Sequence, residues 1–157
     1  MKAVIQRVGF AEVKVDGKLL GKTGGGFLVL LGVAESDTEK ECKILADKIA
    51  KLRIFEDENE KMNLSLLDFL KTESPKSVLV ISQFTLMANC RHGNRPDFFA
   101  AAKPNSAKPL YERFMKILDE DYGIHTECGE FGADMKVSLL NDGPVTIILD
   151  TDDLKKQ

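Results

Sequence analysis

The sequence predicts an α+β fold: a compact single domain that combines an antiparallel or mixed β-sheet with two main helices. The chain of 157 residues has the usual length of one domain. Most of its apolar segments have the length or the alternation of strands, and only two have helical spacing. Because the two helices interrupt a series of strands instead of alternating with each of them, a regular βαβ repeat is not expected.

The first strands are predicted from alternation of polar and apolar residues. This alternation covers residues 2–8 and residues 11–15. Gly9 and Asp16-Gly17 are typical of turns. The beginning of the chain is therefore predicted to form two antiparallel strands with a break at Gly9.

Two further segments predict strands in the centre of the sheet. Residues 27–33 are a continuous apolar run after the turn signal Gly24-Gly25-Gly26, which indicates a strand buried on both faces. Residues 77–82 form another such run. Between them, residues 53–56 predict a short strand.

Helical spacing predicts two helices. The first covers about residues 37–51 and begins with the capping-box pattern Ser36-Asp37-Thr38-Glu39. The second is capped by Asn105-Ser106, tolerates Pro109 in its first turn and ends near Tyr122-Gly123. Their apolar stripes are Ile44, Leu45, Ile49 and Leu52 in the first helix, and Leu110, Phe114, Ile117 and Leu118 in the second.

Three more strands complete the predicted sheet, over residues 124–129, 133–140 and 145–149. The last two are separated by Asn141-Asp142-Gly143-Pro144, which is typical of the tip of a hairpin. The domain is predicted to span residues 1–150, and residues 151–157 are assigned to a polar C-terminal tail.

Composition and charge limit the partners and the compartment. A net charge of −3 does not favour general nucleic-acid binding, so no DNA partner is expected, and RNA binding would need a local basic patch. No apolar run approaches the length of a membrane span, and three separated cysteines suit a reducing cytoplasm. Candidates for a basic patch are Lys18 with Lys22, or residues 91–95 with Lys103 and Lys108.

The common catalytic constellations are not found. No set of His, Cys and carboxylate residues has the spacing of a metal site, so neither a metal nor another cofactor is expected. His92 and His125 are the only histidines, and no serine lies in a nucleophile-elbow motif. Two unusual segments remain, residues 82–86 and residues 141–146. From the residues alone they are either a strand leaving the core and a tight turn, or parts of a site.

Three segments in register carry a family resemblance: Ala3-Val4-Ile5-Gln6-Arg7-Val8, Ser82-Gln83-Phe84-Thr85-Leu86 and Asn141-Asp142-Gly143-Pro144-Val145-Thr146. In order and spacing they resemble the D-aminoacyl-tRNA deacylase family, over about the first 150 residues. The resemblance implies a homodimer with its active site at the subunit interface. It also implies hydrolysis of the ester between a D-amino acid, or glycine, and the 3′ end of tRNA, with rejection of L-amino acids.

The resemblance also implies roles for particular residues. Ser82, Gln83, Phe84 and Thr85 would position the ester and stabilise its oxyanion, with no covalent role for Thr85 because no base is placed beside it. A cis peptide bond between Gly143 and Pro144 would reach into the partner's site and exclude L-amino acids. Arg7 would lock this turn, and Met135 would lie near the captured amino acid.

Two rival functions stay open at this point. One is a related deacylase with the same scaffold and a trans Gly-Pro bond, which removes certain L-amino acids. The other is a non-catalytic dimer that binds RNA or another ligand, in which the two unusual segments are only strand ends and turns. The acidic charge and the small number of aromatic residues argue against a general RNA-binding module.

Overall fold

A computed structural model describes residues 1–155 and confirms the predicted α+β fold with a mixed sheet. Two long helices are accompanied by a third of a single turn, and two short 3₁₀ segments cover Leu66–Phe69 and Phe84–Met87. No helix in the described part of the chain is long and apolar enough to cross a membrane. The elements in chain order are β1 (Lys2–Val15), β2 (Lys18–Thr23), β3 (Gly26–Gly32), α1 (Glu39–Ala50), β4 (Phe55–Glu56), β5 (Met62–Leu64), β6 (Ser77–Ser82), α2 (Pro104–Glu120), β7 (Thr126–Cys128), β8 (Lys136–Asp150) and α3 (Thr151–Leu154).

The main sheet has the strand order β2-β1-β3-β6-β7, and β8 pairs with the other edge of β1. Strand β1 is antiparallel to all three of its partners, whereas β3, β6 and β7 are parallel to one another. The sheet curls until β2 meets β7, where the Lys22 backbone N–H donates to a Glu127 carboxylate oxygen at 2.6 Å. The small pair β4-β5 forms a separate antiparallel sheet.

Strand β3 explains why residues 27–33 are apolar without interruption. Phe27, Val29 and Leu31 point into the cluster that holds α1 and α2, whereas Leu28 belongs to a second cluster with Leu79. All four side chains are at most 1% exposed. The predicted strand with two buried faces is therefore confirmed.

The first helix begins two residues later than its capping-box pattern indicated. Thr38, not Ser36, is the N-cap residue, and its partner is Glu41, whose carboxylate accepts from the Thr38 backbone N–H at 2.7 Å. The preceding Asp37 lies in the turn before the helix, where its carboxylate accepts from the Ala34 N–H at 2.6 Å and from the Met1 amino group at 2.7 Å. The predicted capping box at Ser36 is therefore wrong by two residues.

Helix α2 differs from the prediction at its start. It begins at Pro104, with Lys103 as N-cap, so the predicted cap at Asn105-Ser106 is wrong and Pro109 lies in the second turn. Its buried face also includes Tyr111, and the predicted Leu110 beside it is partly buried and packs against the same core. The other predicted stripe residues, Phe114, Ile117 and Leu118, are buried.

The two predicted breaks in the long strands are absent. Strand β1 continues through Gly9, and β8 continues through residues 141–144, so the predicted hairpin at Gly143-Pro144 is wrong. Gln6 pairs with Thr146 and Val8 with Asn141, so four residues of β8 lie opposite Arg7 alone. We call residues 142–145 the β8 bulge. Because β1 offers a partner on both sides of this segment, the turn residues produce a bulge rather than a reversal.

The predicted polar tail begins with the single helical turn of α3. Thr151 is fully buried, its backbone N–H donates to the Met1 carbonyl at 2.9 Å, and it opens α3. Lys155 reaches back to Glu41 at 2.8 Å. Residues 156 and 157 lie outside the described residues, and the domain boundary at residue 150 stays a prediction.

Candidate active site

A cavity of about 540 Å³ opens where β6 ends. Its walls come from the ends of β3 and β6, the start of α2 and the segment that leads into β8. Most of the walls are apolar, which is usual for a small-molecule site. The lining residues are Leu31, Val33, Ile81, Ser82, Gln83, Phe84, Ala101, Ala102, Pro104, Ala107, Tyr111, Phe131, Gly132, Ala133, Asp134, Met135 and Val137.

The polar side of this cavity is formed where the chain leaves β6. The Gln83 backbone N–H donates to the Leu31 carbonyl at 2.8 Å, which extends the parallel pairing by one residue. The chain then turns into the 3₁₀ segment Phe84–Met87. The Gln83 side-chain amide donates to the Thr85 hydroxyl oxygen at 2.6 Å, so these two polar side chains are fixed together. The predicted strand exit at Ser82 is confirmed.

The eight predicted site residues form two groups, one at the cavity and one outside it. Ser82, Gln83, Phe84 and Met135 line the cavity, and Thr85 is joined to it through Gln83. Arg7, Gly143 and Pro144 are absent from its walls. A single chain therefore brings together five of the eight predicted residues.

Arg7 hydrogen-bonds the backbone of the β8 bulge. Its guanidinium is buried and donates from Nε to the Asp142 carbonyl at 3.0 Å and from Nη1 to the Ile54 carbonyl at 2.7 Å. A Cβ on Gly143 would lie 2.9 Å from Arg7 Nη2, and Gly143 has φ +133, so this position favours glycine. The Gly143-Pro144 peptide bond is cis, as the resemblance implies.

Few groups around the cavity can exchange a proton. Among the described residues that line the cavity, Tyr111 and Asp134 alone carry acidic groups. Burial raises the pKa of Tyr111, whose hydroxyl donates to the Val80 carbonyl at 2.8 Å, so it stays neutral. Asp134 is exposed and pairs with Lys136 at 2.9 Å. Within residues 1–155, no His or carboxylate side chain hydrogen-bonds Thr85, and no group of three possible metal ligands occurs.

Sequence reasoning missed Tyr111 and Phe131 as parts of the site. Their rings are 5.7 Å apart and form the aromatic wall of the cavity. Tyr111 lies three residues before Phe114 on the buried face of α2, and this spacing was the available signal. No local pattern indicates that Phe131, which lies in a loop, packs against that helix.

Comparison with known proteins places these residues in a family. The family model described as D-Tyr-tRNA(Tyr) deacylase matches residues 4–150. The chain belongs to this family. A D-aminoacyl-tRNA deacylase from Fusobacterium nucleatum subsp. nucleatum is 58% identical over 153 residues, which are 98% of this chain and 97% of that protein.

Two solved structures share the fold. One, titled c-Myc DNA Unwinding Element Binding Protein, has 41% sequence identity and a TM-score of 0.86, and the match covers 96% of this chain and 98% of that one. The other is titled as a structural analysis of a probable eukaryotic D-amino acid tRNA deacylase. It has 15% identity and a TM-score of 0.80 over 95% of this chain and 98% of that one, and it supports the fold alone.

Proposed function

We propose that this chain hydrolyses the ester bond that joins a D-amino acid, or glycine, to the terminal adenosine of tRNA. The products are free tRNA and the free amino acid, and the site of action is the cytoplasm. The observation that carries the proposal is the pair Gln83 and Thr85, fixed at 2.6 Å beside an apolar cavity, in a chain of the deacylase family.

The reaction needs positioning and charge stabilisation. Water adds to the ester carbonyl carbon, negative charge develops on the carbonyl oxygen, and the C–O bond to the ribose breaks as the 3′ oxygen takes up a proton. Ser82, Gln83, Phe84 and Thr85 supply side-chain and backbone donors for that oxygen. Since no general base lies beside Thr85 in the described chain, the ribose 2′-hydroxyl of the substrate assists the attacking water.

Thr85 acts by position in this mechanism. A threonine hydroxyl becomes a nucleophile only when a base removes its proton. Its oxygen instead accepts a hydrogen bond from the Gln83 amide, an arrangement that orients the hydroxyl without removing its proton. Hydrolysis therefore proceeds without an acyl-enzyme.

Chirality is selected by exclusion. Inverting Cα exchanges a hydrogen for the side chain, so a rigid backbone wall on one side admits a D-residue or glycine and excludes an L-residue. Residues 142–144 of the β8 bulge are exposed, and Gly143 and Pro144, held by the bond from Arg7 to Asp142, supply that wall. Met135, which lines the cavity, lies near the bound amino acid. Such a filter tolerates many side chains and only one handedness.

The wall comes from a second copy of the chain. In one chain Gly143 and Pro144 lie outside the cavity, so the site is completed only when a partner inserts its bulge. The same strand exposes large apolar side chains: Leu140 is 56% and Ile148 73% exposed. An exposed strand with apolar side chains is a natural pairing surface. The active site of the proposed homodimer therefore lies at the interface.

The direct test is to incubate the purified protein with matched D-tyrosyl-tRNA and L-tyrosyl-tRNA, without added metal, and to follow loss of the aminoacyl group. Rapid loss of the D-form alone is expected. Loss of the L-form would instead identify the related L-specific activity, and retention of both would favour a non-catalytic binding protein. Light scattering on the same sample should give twice the mass of one chain.

A further inference from the structure

The loop of residues 90–96, which we call the rim loop, projects from the edge of the cavity. Its two ends are fastened by Asn89 and Asp97, which exchange backbone hydrogen bonds at 2.9 and 3.1 Å. The Asn89 side-chain amide also donates to the Asp97 carboxylate at 2.9 Å. All residues of the loop are exposed. It is therefore a closed loop with an anchored base.

The base of the rim loop is continuous with the candidate active site. The chain enters it directly after the segment Phe84–Met87 and returns from it to Ala101 and Ala102 in the cavity wall. Phe98, just after the loop, packs edge-on against Phe84 with ring centres 5.0 Å apart. Because Phe84 lines the cavity, this aromatic pair connects the cavity edge to the chain that follows the loop.

The rim loop carries two arginines whose guanidinium groups have no partner among residues 1–155. Arg7, Arg53 and Arg113 each hydrogen-bond protein acceptors. Within the described residues, the guanidinium groups of Arg91 and Arg95 have no hydrogen-bond or ion-pair partner. A guanidinium fork matches a phosphate, so two unpaired forks four residues apart suit a polyanion even in a chain of net charge −3.

An exposed aromatic ring accompanies these charges. Phe99 is 91% exposed, the highest value among the exposed large apolar side chains of the described chain. Phe84 at the cavity edge is 59% exposed. Aromatic side chains beside basic groups are the arrangement with which proteins stack unpaired bases and hold the phosphates between them.

We propose that the rim loop and Phe99, three residues after it, bind the single-stranded 3′-terminal nucleotides of the RNA substrate, with Arg91 and Arg95 on phosphates and Phe99 stacked on a base. The identity of the RNA as tRNA rests on the proposed function. With the ester at Ser82–Thr85, the nucleotides that precede the terminal adenosine lead out past Phe84 and Phe98 to this loop. Lys18 and Lys22, the other basic candidates, lie on β2, which contributes nothing to the cavity wall.

Binding can be tested without catalysis. Fluorescence anisotropy would measure binding of a labelled RNA hairpin that carries no amino acid and ends in an unpaired CCA. The double variant R91A/R95A should bind at least about tenfold more weakly than the parent protein. The slope of log K against log salt should become shallower by about 1.4, the value for two lost single-strand phosphate contacts.

The matched control removes two positive charges elsewhere. Lys40 and Lys48 are exposed on α1, and K40A/K48A gives the same change in net charge. It should bind the hairpin like the parent protein. Equal weakening in both double variants would show a general charge effect and overturn the proposal, as would unchanged binding by R91A/R95A.

The aromatic contact has its own test. F99A should weaken binding by about fivefold or more, and F99Y should restore it, because tyrosine keeps the stacking face. Loss of the dimer in F99A by light scattering would instead make Phe99 a subunit contact and overturn this part of the proposal.

Activity measurements then separate this proposal from the proposed function. On D-tyrosyl-tRNA, R91A/R95A should raise KM and leave kcat near the parent value. On D-tyrosyl adenosine, which lacks the rest of the RNA, the variant and the parent should be equal. Equal losses of activity on both substrates would show that the arginines act in ester hydrolysis itself, and would overturn their role in docking the RNA. If the parent protein hydrolyses neither substrate, the deacylase function is overturned. The binding measurements would still test whether the rim loop binds RNA.

Discussion

Arg7 and Asp142 are 135 positions apart in sequence, yet Arg7 Nε donates to the Asp142 carbonyl at 3.0 Å. This hydrogen bond ties the middle of β1 to the β8 bulge. The same guanidinium reaches the Ile54 carbonyl at 2.7 Å, so one buried side chain joins three segments of the chain. The position of Gly143 and Pro144 therefore depends on a residue that lies outside the cavity.

Replacing Arg7 with Ala should reduce stability by about 1–3 kcal/mol, because two carbonyls lose their donor. It should also lower kcat/KM on D-tyrosyl-tRNA by more than tenfold, because the bulge loses its support. Denaturant unfolding and initial rates measure the two effects. In contrast, R113A removes an exposed ion pair with Glu39 and should change each quantity little. An R7A protein with normal activity would show that the bulge is held without it.

Thr85→Ala should reduce kcat moderately, by about tenfold, and Gln83→Ala by about a hundredfold, the usual effect of removing an oxyanion donor. Single-turnover rates on D-tyrosyl-tRNA would measure both. T72A is the matched control, since Thr72 is exposed and bonds only the Phe69 carbonyl. Mass spectrometry of quenched parent protein should detect no acyl-enzyme. Complete loss in T85A together with a trapped adduct would establish covalent catalysis.

Acid should destabilise the protein partly through Glu41. Although burial would raise its pKa, hydrogen bonds from Lys155 and Thr38 lower the pKa from the ordinary 4.5 to about 2. Because the folded state lowers this pKa, the stabilisation is complete above about pH 4.5 and is lost as pH falls towards 2. Its size is at most about 3 kcal/mol, since solvent screens the pair with the partly exposed Lys155.

The variant E41Q tests this pH dependence, because glutamine preserves the capping geometry without the charge. Its free energy of unfolding should be lower than that of the parent at pH 7, and the difference should disappear near pH 2. The control E112Q removes an exposed carboxylate that pairs with Lys108 at 3.9 Å and should follow the parent curve. Parallel curves for the parent and E41Q would contradict the assignment.

Gly26→Ala should destabilise the protein by more than about 2 kcal/mol. A Cβ at this position would lie 1.9 Å from the Ser77 carbonyl oxygen, and Gly26 has φ +134. Gly24→Ala is the matched control, since a Cβ there meets nothing within 4 Å. Urea unfolding of the two variants should separate them clearly, and equal midpoints would contradict the close approach of β3 to β6.

Much of the sheet could be predicted because the apolar runs of the sequence coincide with the buried strands. The runs at 27–33 and 77–82 are apolar at every position that faces either cluster, and β3 and β6 form where predicted. The breaks at Gly9 and Gly143 were wrong because their turn signals describe only the local chain. Pairing of β1 with β8 over their full length outweighs those signals and turns them into bulges.

By itself the sequence determined the fold class, the central strands and the end of a buried strand at Ser82. Each of these depends on residues close together in the chain, whose periodicity records burial. Only the tertiary structure decided that Arg7 holds Asp142, that Tyr111 faces Phe131, and that the Gly143-Pro144 bulge lies apart from its own cavity. These contacts join residues far apart in sequence, and their geometry is set by strand pairing and packing, which no local pattern encodes.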